Sequence, residues 1–172
     1  PGKFEIDFKV ADGDLVKAGT EIMEISGGVY DILAVERVIL NLLMRMSGVA
    51  TFTRKLVEMV KGSDVLLCPT RKTLWGLLDK RAVVIGGGGT HRLGLHDSII
   101  IKDTHLDLLD RDLKVLFAKL EKAELDCRFV EVEVENKKEA LEAAKLFAEA
   151  GLKAVAVLML DNFSAKEAGE CV

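Results

Sequence analysis

Phe4–Val10 alternates apolar and polar positions (FEIDFKV), the period of a strand with one buried face. The turn ADGD follows, and LVKAGTEIMEISGG, punctuated by glycine, predicts a further pair of short strands, so residues 1–33 read as strand-rich. From Ala34 the period changes. In AVERVILNLLMRMSGVATFTRKLVEMV apolar residues recur every three or four positions, which predicts a helix over residues 34–61. Ser47-Gly48 marks a break or a close contact near its middle, and Arg45 reads as part of a solvated face.

After Gly62 short apolar runs alternate with helical patterns. VLL (65–67), AVVI (82–85), SIII (98–101), FVEVEV (129–134) and AVAVLML (154–160) predict strands. LDLLDRDLKVLFAKLEKAE (106–124) predicts an amphipathic helix. KKEALEAAKLFAEAG predicts another, capped by Asn136 with Glu139 three residues on and ended by Gly151. Nearly continuous apolar strands alternating with helices indicate a parallel α/β sheet. No dinucleotide glycine fingerprint opens a helix, so a barrel fits at least as well as a doubly wound sheet.

A parallel barrel places its chemistry at the carboxyl ends of its strands. Four predicted strands end in charge: Arg71 and Lys72 after VLL, Lys102, Asp103 and His105 after SIII, Glu133 in FVEVEV, and Asp161 after AVAVLML. In FVEVEVE, Val130, Val132 and Val134 would face helices, and Glu131, Glu133 and Glu135 would face inward. Buried carboxylates need partners, so these glutamates predict either a wet edge strand or a face turned to a sugar hydroxyl, a metal or a cation. Gly86–Gly89 is no P-loop, because no GK[ST] follows. Glycines permit close approach of backbone to a ligand, and His91-Arg92 comes directly after Thr90. Arg71, Lys72, Arg92 and Lys102 together describe a pocket for a multiply negative small molecule.

Composition narrows this further. With 172 residues, 49% hydrophobic, and a net charge of −4, the chain can build a core and offers no bulk attraction for nucleic acid. Cys68, Cys127 and Cys171 are far apart and form no CxxC, which predicts a reduced, cytoplasmic setting. No apolar run approaches the ~20 residues of a membrane span. His91, His96 and His105 lack the spacing of a compact zinc site, and His96 reads as a surface or helix-contact residue. No GxSxG elbow supports a serine nucleophile. The early strands are similar to half of a lipoyl or biotinyl hairpin, but no MKM-like lysine sits at a hairpin tip.

ERVILNLLMRMSGVAT (36–51), TRKT (70–73), GGGGTHRLGLHDSIIIKDTH (86–105), EVEVEN (131–136) and LDNF (160–163) together resemble quinolinate phosphoribosyltransferases, also called nicotinate-nucleotide pyrophosphorylases. The resemblance implies an open α/β barrel over residues 34–172, incomplete at its end, and part of an N-terminal α/β sandwich over residues 1–33. It implies a homodimer in which each sandwich covers the partner's barrel. It implies conversion of quinolinate and phosphoribosyl pyrophosphate, with Mg²⁺, into nicotinate mononucleotide, pyrophosphate and CO₂. By the family pattern Thr70, Arg71, His91, Arg92 and Lys102 line the quinolinate pocket, and Arg37 reaches in from the partner subunit. Lys72 faces both substrates, and Glu133 and Asp161 match the carboxylates near the ribose and Mg²⁺. Leu74-Trp75 stands where many members read Thr-Pro after TRKT, and Thr104 where many carry Asn. The family's sugar-phosphate loops lie beyond LDNF, so the sequence reads as a segment of a longer chain. Two other readings stand beside this one: a paralogue acting on nicotinate or another ligand, and a non-catalytic barrel that binds an anionic metabolite.

Overall fold

A computed structural model describes residues 4–123 and 125–172. The chain divides into two compact units, Pro1–Leu93 and Gly94–Val172. In the first, the alternating FEIDF becomes β1 (Glu5–Phe8), antiparallel to β2 (Met23–Ser26) with Phe8 opposite Met23. The expected second strand pair reduces to β2 alone, because residues 9–22 are taken up by turns at Gly13 (φ 93°) and Gly19 (φ 84°). Helix α1 spans Val29–Met59, starting five residues before the predicted Ala34. Gly28 provides an extended N-cap and Asp31 lies in the first turn, where a carboxylate meets the positive helix end. Ser47-Gly48 neither breaks α1 nor makes a close contact: nothing lies within 4 Å of where a Cβ on Gly48 would be.

Two predicted strands are absent. AVVI is the last part of α2 (Leu77–Ile85), where Leu77–Ala82 initiates a helix and its buried residues Ala82 and Val83 continue it. A short β-branched run does not override a helix begun before it. Residues 65–67 have one long-range backbone bond, from Gly89 N–H to the Leu67 carbonyl (2.8 Å), and no ladder.

In the second unit, β3 (Ile99–Ile101), β4 (Phe129–Val134) and β5 (Val155–Leu160) form a parallel sheet in the order β3-β4-β5. Val130, Val132 and Val134 are fully buried. They pack with Leu113, Leu116, Phe117 and Leu120 of α4 (Leu113–Lys122) and with Ala140 and Ala143 of α5 (Lys137–Glu149). The predicted helix 106–124 is two helices, α3 (Asp103–Asp107) and α4. Asp110 and Arg111 take left-handed φ of 50° and 55° between them, and Asp112 caps α4 by accepting from the Lys114 and Val115 N–H groups. Asn136 caps α5 as predicted, accepting from Glu139 N–H at 3.0 Å. A last short helix, α6 (Ala165–Gly169), follows β5. The described architecture is therefore α/β with a three-stranded parallel sheet, and closure into a barrel is not seen in it.

Candidate active site

The sheet of the second unit brings three predicted site residues together. Register pairs Ile101 with Val132 and Val132 with Leu158. One step on, Lys102 is still extended (φ −99°, ψ 167°) and lies level with Glu133, which is opposite Met159. Side chains alternate along strands, so Lys102, Glu131 and Glu133 share the face opposite the valine core. Asp161 continues that face just past β5, its backbone N–H bonded to the Val134 carbonyl at 3.0 Å. Lys102, Glu133 and Asp161 thus stand at the carboxyl edge of neighbouring parallel strands, where such sheets hold ligands. Glu135 does not join them. It lies beyond β4, exposed, and pairs with Arg111 (2.9 Å), which also binds Glu139 and Asp107.

Electrostatics agree with the register. Burial pushes the Glu133 carboxyl above its ordinary range; the Asp161 and Asp103 charges push it the same way, and Lys102 pulls it back. A carboxylate raised on folding favours the native state below its unfolded pKa, and that contribution is lost as pH rises through the folded value. Ionised Glu133 therefore opposes folding at neutral pH. Glu133→Gln is expected to raise Tm at pH 7, with the gain vanishing below about pH 4. Equal melting temperatures at pH 7 would contradict this.

His105 is committed locally: its Nδ1 accepts the Lys102 backbone N–H at 2.9 Å. His96 is exposed, with its ring against Gly94, where a Cβ would sit 2.6 Å from it. Among the described residues no group of three or more His, Cys, Asp or Glu could hold a metal ion.

The first unit carries the other predicted residues. Arg37 is exposed on α1. Thr70, Arg71 and Lys72 form a tight turn, with Lys72 N–H to Thr70 Oγ1 at 3.0 Å and Thr73 N–H to the Arg71 carbonyl at 3.0 Å, leaving both cationic side chains exposed. His91 and Arg92 are half-buried, and His91 has a left-handed φ of 51°. Among the described residues Arg71, Lys72 and Arg92 make no ion pair.

Three glycines of the tract, Gly86, Gly88 and Gly89, sit in close contact with the rest of the chain. A Cβ on Gly86 would fall 2.5 Å from the Ala50 carbonyl and 2.7 Å from Thr53 Cβ, both on α1. On Gly88 it would meet the Leu67 carbonyl at 2.7 Å, and on Gly89 the Cys68 Sγ at 2.8 Å. The close approach is to the chain's own α1 and residues 66–68.

Sequence reasoning missed the residues that hold these segments. Asp79, in the first turn of α2, is buried and accepts Arg45 Nε (2.8 Å) and Nη2 (2.7 Å), the Thr73 hydroxyl, and the Trp75 backbone N–H (3.3 Å). Arg45 is therefore no solvated residue; its guanidinium also lies 5.4 Å from the Trp75 ring centroid. The Arg45 hydrogen bonds hold the Asp79 carboxyl down to about 2, so it is ionised at neutral pH. The next residue, Lys80, is 3% exposed and donates to the Pro69 carbonyl (3.3 Å) and the Thr90 carbonyl. No sequence signal marks this pair, because Arg45, Pro69 and Thr90 each lie ten or more residues away.

A family model described as quinolinate phosphoribosyl transferase, C-terminal domain, matches residues 49–172, and its N-terminal counterpart matches residues 2–47. The chain belongs to the quinolinate phosphoribosyl transferase family. The two family models meet within α1, at residue 48. Among curated relatives, a probable nicotinate-nucleotide pyrophosphorylase [carboxylating] of Archaeoglobus fulgidus is 38% identical over 168 residues, covering 94% of this chain and 60% of its own length. One of the same description from Bacillus subtilis is 39% identical, covering 88% of this chain and 50% of its own length. Among solved structures, NadC from Streptococcus pyogenes superposes with a TM-score of 0.83 at 35% identity, over 98% of this chain and 58% of that one. The nicotinate-nucleotide pyrophosphorylase from Francisella tularensis gives 0.82 at 36% identity, over 98% and 57%. The chain thus spans half to three-fifths of the length of these relatives. Among its described residues no helix is long and apolar enough to cross a membrane.

Proposed function

We propose that this chain carries the acceptor and ribose machinery for transferring phosphoribosyl from phosphoribosyl pyrophosphate to quinolinate, with release of pyrophosphate and CO₂. The observation that carries the reading is three cations on adjoining turns, Arg71, Lys72 and Arg92, that make no ion pair among the described residues, in a chain of net charge −4. Cations left unpaired beside fixed turns suit a ligand that brings several negative charges. Quinolinate brings two carboxylates. His91, Arg92, Thr70 and Arg71 bind and orient it, and Lys72 also serves the phosphates.

The chemistry follows from charge. The pyridine nitrogen forms a bond to the ribose carbon as the bond to pyrophosphate breaks, its electron pair leaving with the pyrophosphate oxygen. The sugar gains positive character, which carboxylates at Glu133 and Asp161 would stabilise from the sheet edge. The electron pair of the breaking bond to CO₂ then stays on the ring carbon, where the positive charge of the adjacent quaternised nitrogen stabilises it, and that carbon takes up a proton. No enzyme nucleophile is required.

Glu133 and Asp161 are two carboxylates on one sheet edge, which fits Mg²⁺ held jointly with a diphosphate, since that ion keeps waters and needs few protein ligands. When bound, Mg²⁺ supplies charge neutralisation to the leaving pyrophosphate. Barrel closure and a homodimer complete the proposal, with Arg37 serving the partner's site. The exposed apolar residues Leu33, Val38 and Met44 on α1 support a covered face. The three free cysteines support a cytoplasmic setting.

The acceptor is tested by titration calorimetry. Quinolinate is expected to bind at least about tenfold more tightly than nicotinate, the difference of one charge-assisted carboxylate contact. Equal affinities would favour the nicotinate paralogue.

A further inference from the structure

We propose that Asp79 and Lys80 are positioning residues that hold two cationic segments, Thr70–Lys72 and His91–Arg92, in place for an anionic ligand. The inference rests on the phosphoribosyl transfer reading for the ligand's identity, but its geometry lies wholly within the first unit. Lys80 grips the residues immediately before each segment, Pro69 before Thr70 and Thr90 before His91. Asp79 grips the far end of the first segment through the Thr73 hydroxyl and the Trp75 N–H. Arg71 and Lys72 therefore arch between two anchors that share one helical turn.

Three features argue that this is more than packing. An ammonium that is 3% exposed is costly to bury, and a cluster of apolar side chains would join two loops at lower cost. His91 holds a left-handed φ of 51° that a non-glycine residue keeps only when its surroundings impose it, and the Lys80 contact falls on the preceding carbonyl. Arg45 satisfies the Asp79 charge with a bidentate pair, so Asp79 can anchor the turn without neutralising Arg71 or Lys72.

The test uses Lys80→Met, which keeps length and removes the donors, and Thr73→Val, which removes one anchor while keeping shape. Arg81→Met is the control, because Arg81 is the next residue, carries the same charge and is exposed, with its ion pair at Asp12. Hydrogen exchange is followed without ligand, and quinolinate is titrated in parallel. Lys80→Met is expected to speed exchange in residues 66–75 and 87–93 while leaving α1 unchanged. It should weaken quinolinate binding about tenfold, the loss of hydrogen bonds to a charged group. Because the segments are displaced rather than removed, the loss falls on KM, and turnover at saturating quinolinate recovers to within about threefold. Thr73→Val should speed exchange only in residues 70–76, and Arg81→Met should change neither readout. Wild-type exchange and affinity in a folded Lys80→Met would overturn the proposal, as would wild-type behaviour of Thr73→Val if Lys80→Met does not fold. If the unchanged chain fails to bind quinolinate, the substrate reading falls, and accelerated exchange confined to the two segments still supports the anchoring.

Discussion

Arg92→Ala is expected to weaken quinolinate binding by about 100-fold, the typical consequence of leaving a desolvated carboxylate without its charged partner. Arg92 is half-buried, follows the constrained His91, and makes no ion pair among the described residues. Its guanidinium is thus held near the fold without being consumed by it. Removing it should change ligand affinity far more than stability, with Tm staying within about 3 °C because no internal charge pair is broken. Calorimetry and a melting curve on the same preparation read both quantities. Unchanged affinity would remove Arg92 from the site, and a collapse of Tm would make it a structural residue.

Gly86→Ala should lower Tm by about 10 °C, because overpacking at this level costs about 3 kcal/mol in a chain of this size. The added methyl would meet the Ala50 carbonyl at 2.5 Å and Thr53 Cβ at 2.7 Å. Thr53 is buried, so neither atom is the free end of a flexible side chain. The α2 terminus would have to move off α1, and the path of Gly87–Arg92 with it. Gly48→Ala is the matched comparison. It lies inside α1 with open space around it, so the same substitution should stabilise by about 0.5–1 kcal/mol through helix propensity. Similar shifts at both positions would contradict the close-packing account of the glycine tract.

The contrast between those glycines shows what was legible in the sequence. Periodicity located the central strand β4 and the edge strand β5 almost to the residue, because the patterns of FVEVEV and AVAVLML are local. Asn136 and Glu139 marked the start of α5 for the same reason. AVVI failed because a run of four β-branched and small residues does not reveal that a helix has already begun at Leu77. The predicted helix 106–124 failed where Asp110 and Arg111 turn left-handed, a break imposed by Arg111 reaching Glu139, 28 residues away.

For the candidate site, Lys102, Glu133 and Asp161 could be read from strand ends alone, since parallel pairing brings such ends to one edge. The roles of the other cations came from resemblance to the family. The Arg45–Asp79 pair spans 34 residues and the Lys80–Thr90 contact spans ten, and neither leaves a periodic trace. A break or close contact expected at Ser47-Gly48 is open helix surface, and the close contacts fall instead at Gly86, Gly88 and Gly89, where the backbone packs against its own chain.

The most direct measurement supplies quinolinate labelled in its 2-carboxylate, phosphoribosyl pyrophosphate and Mg²⁺, and follows nicotinate mononucleotide by mass together with labelled CO₂. Nicotinate runs in parallel as acceptor. The account predicts product and labelled CO₂ in equal amounts from quinolinate, and much less product from nicotinate. Quinolinate bound tightly but left unconverted by the full polypeptide, or product formed preferentially from nicotinate, would contradict it.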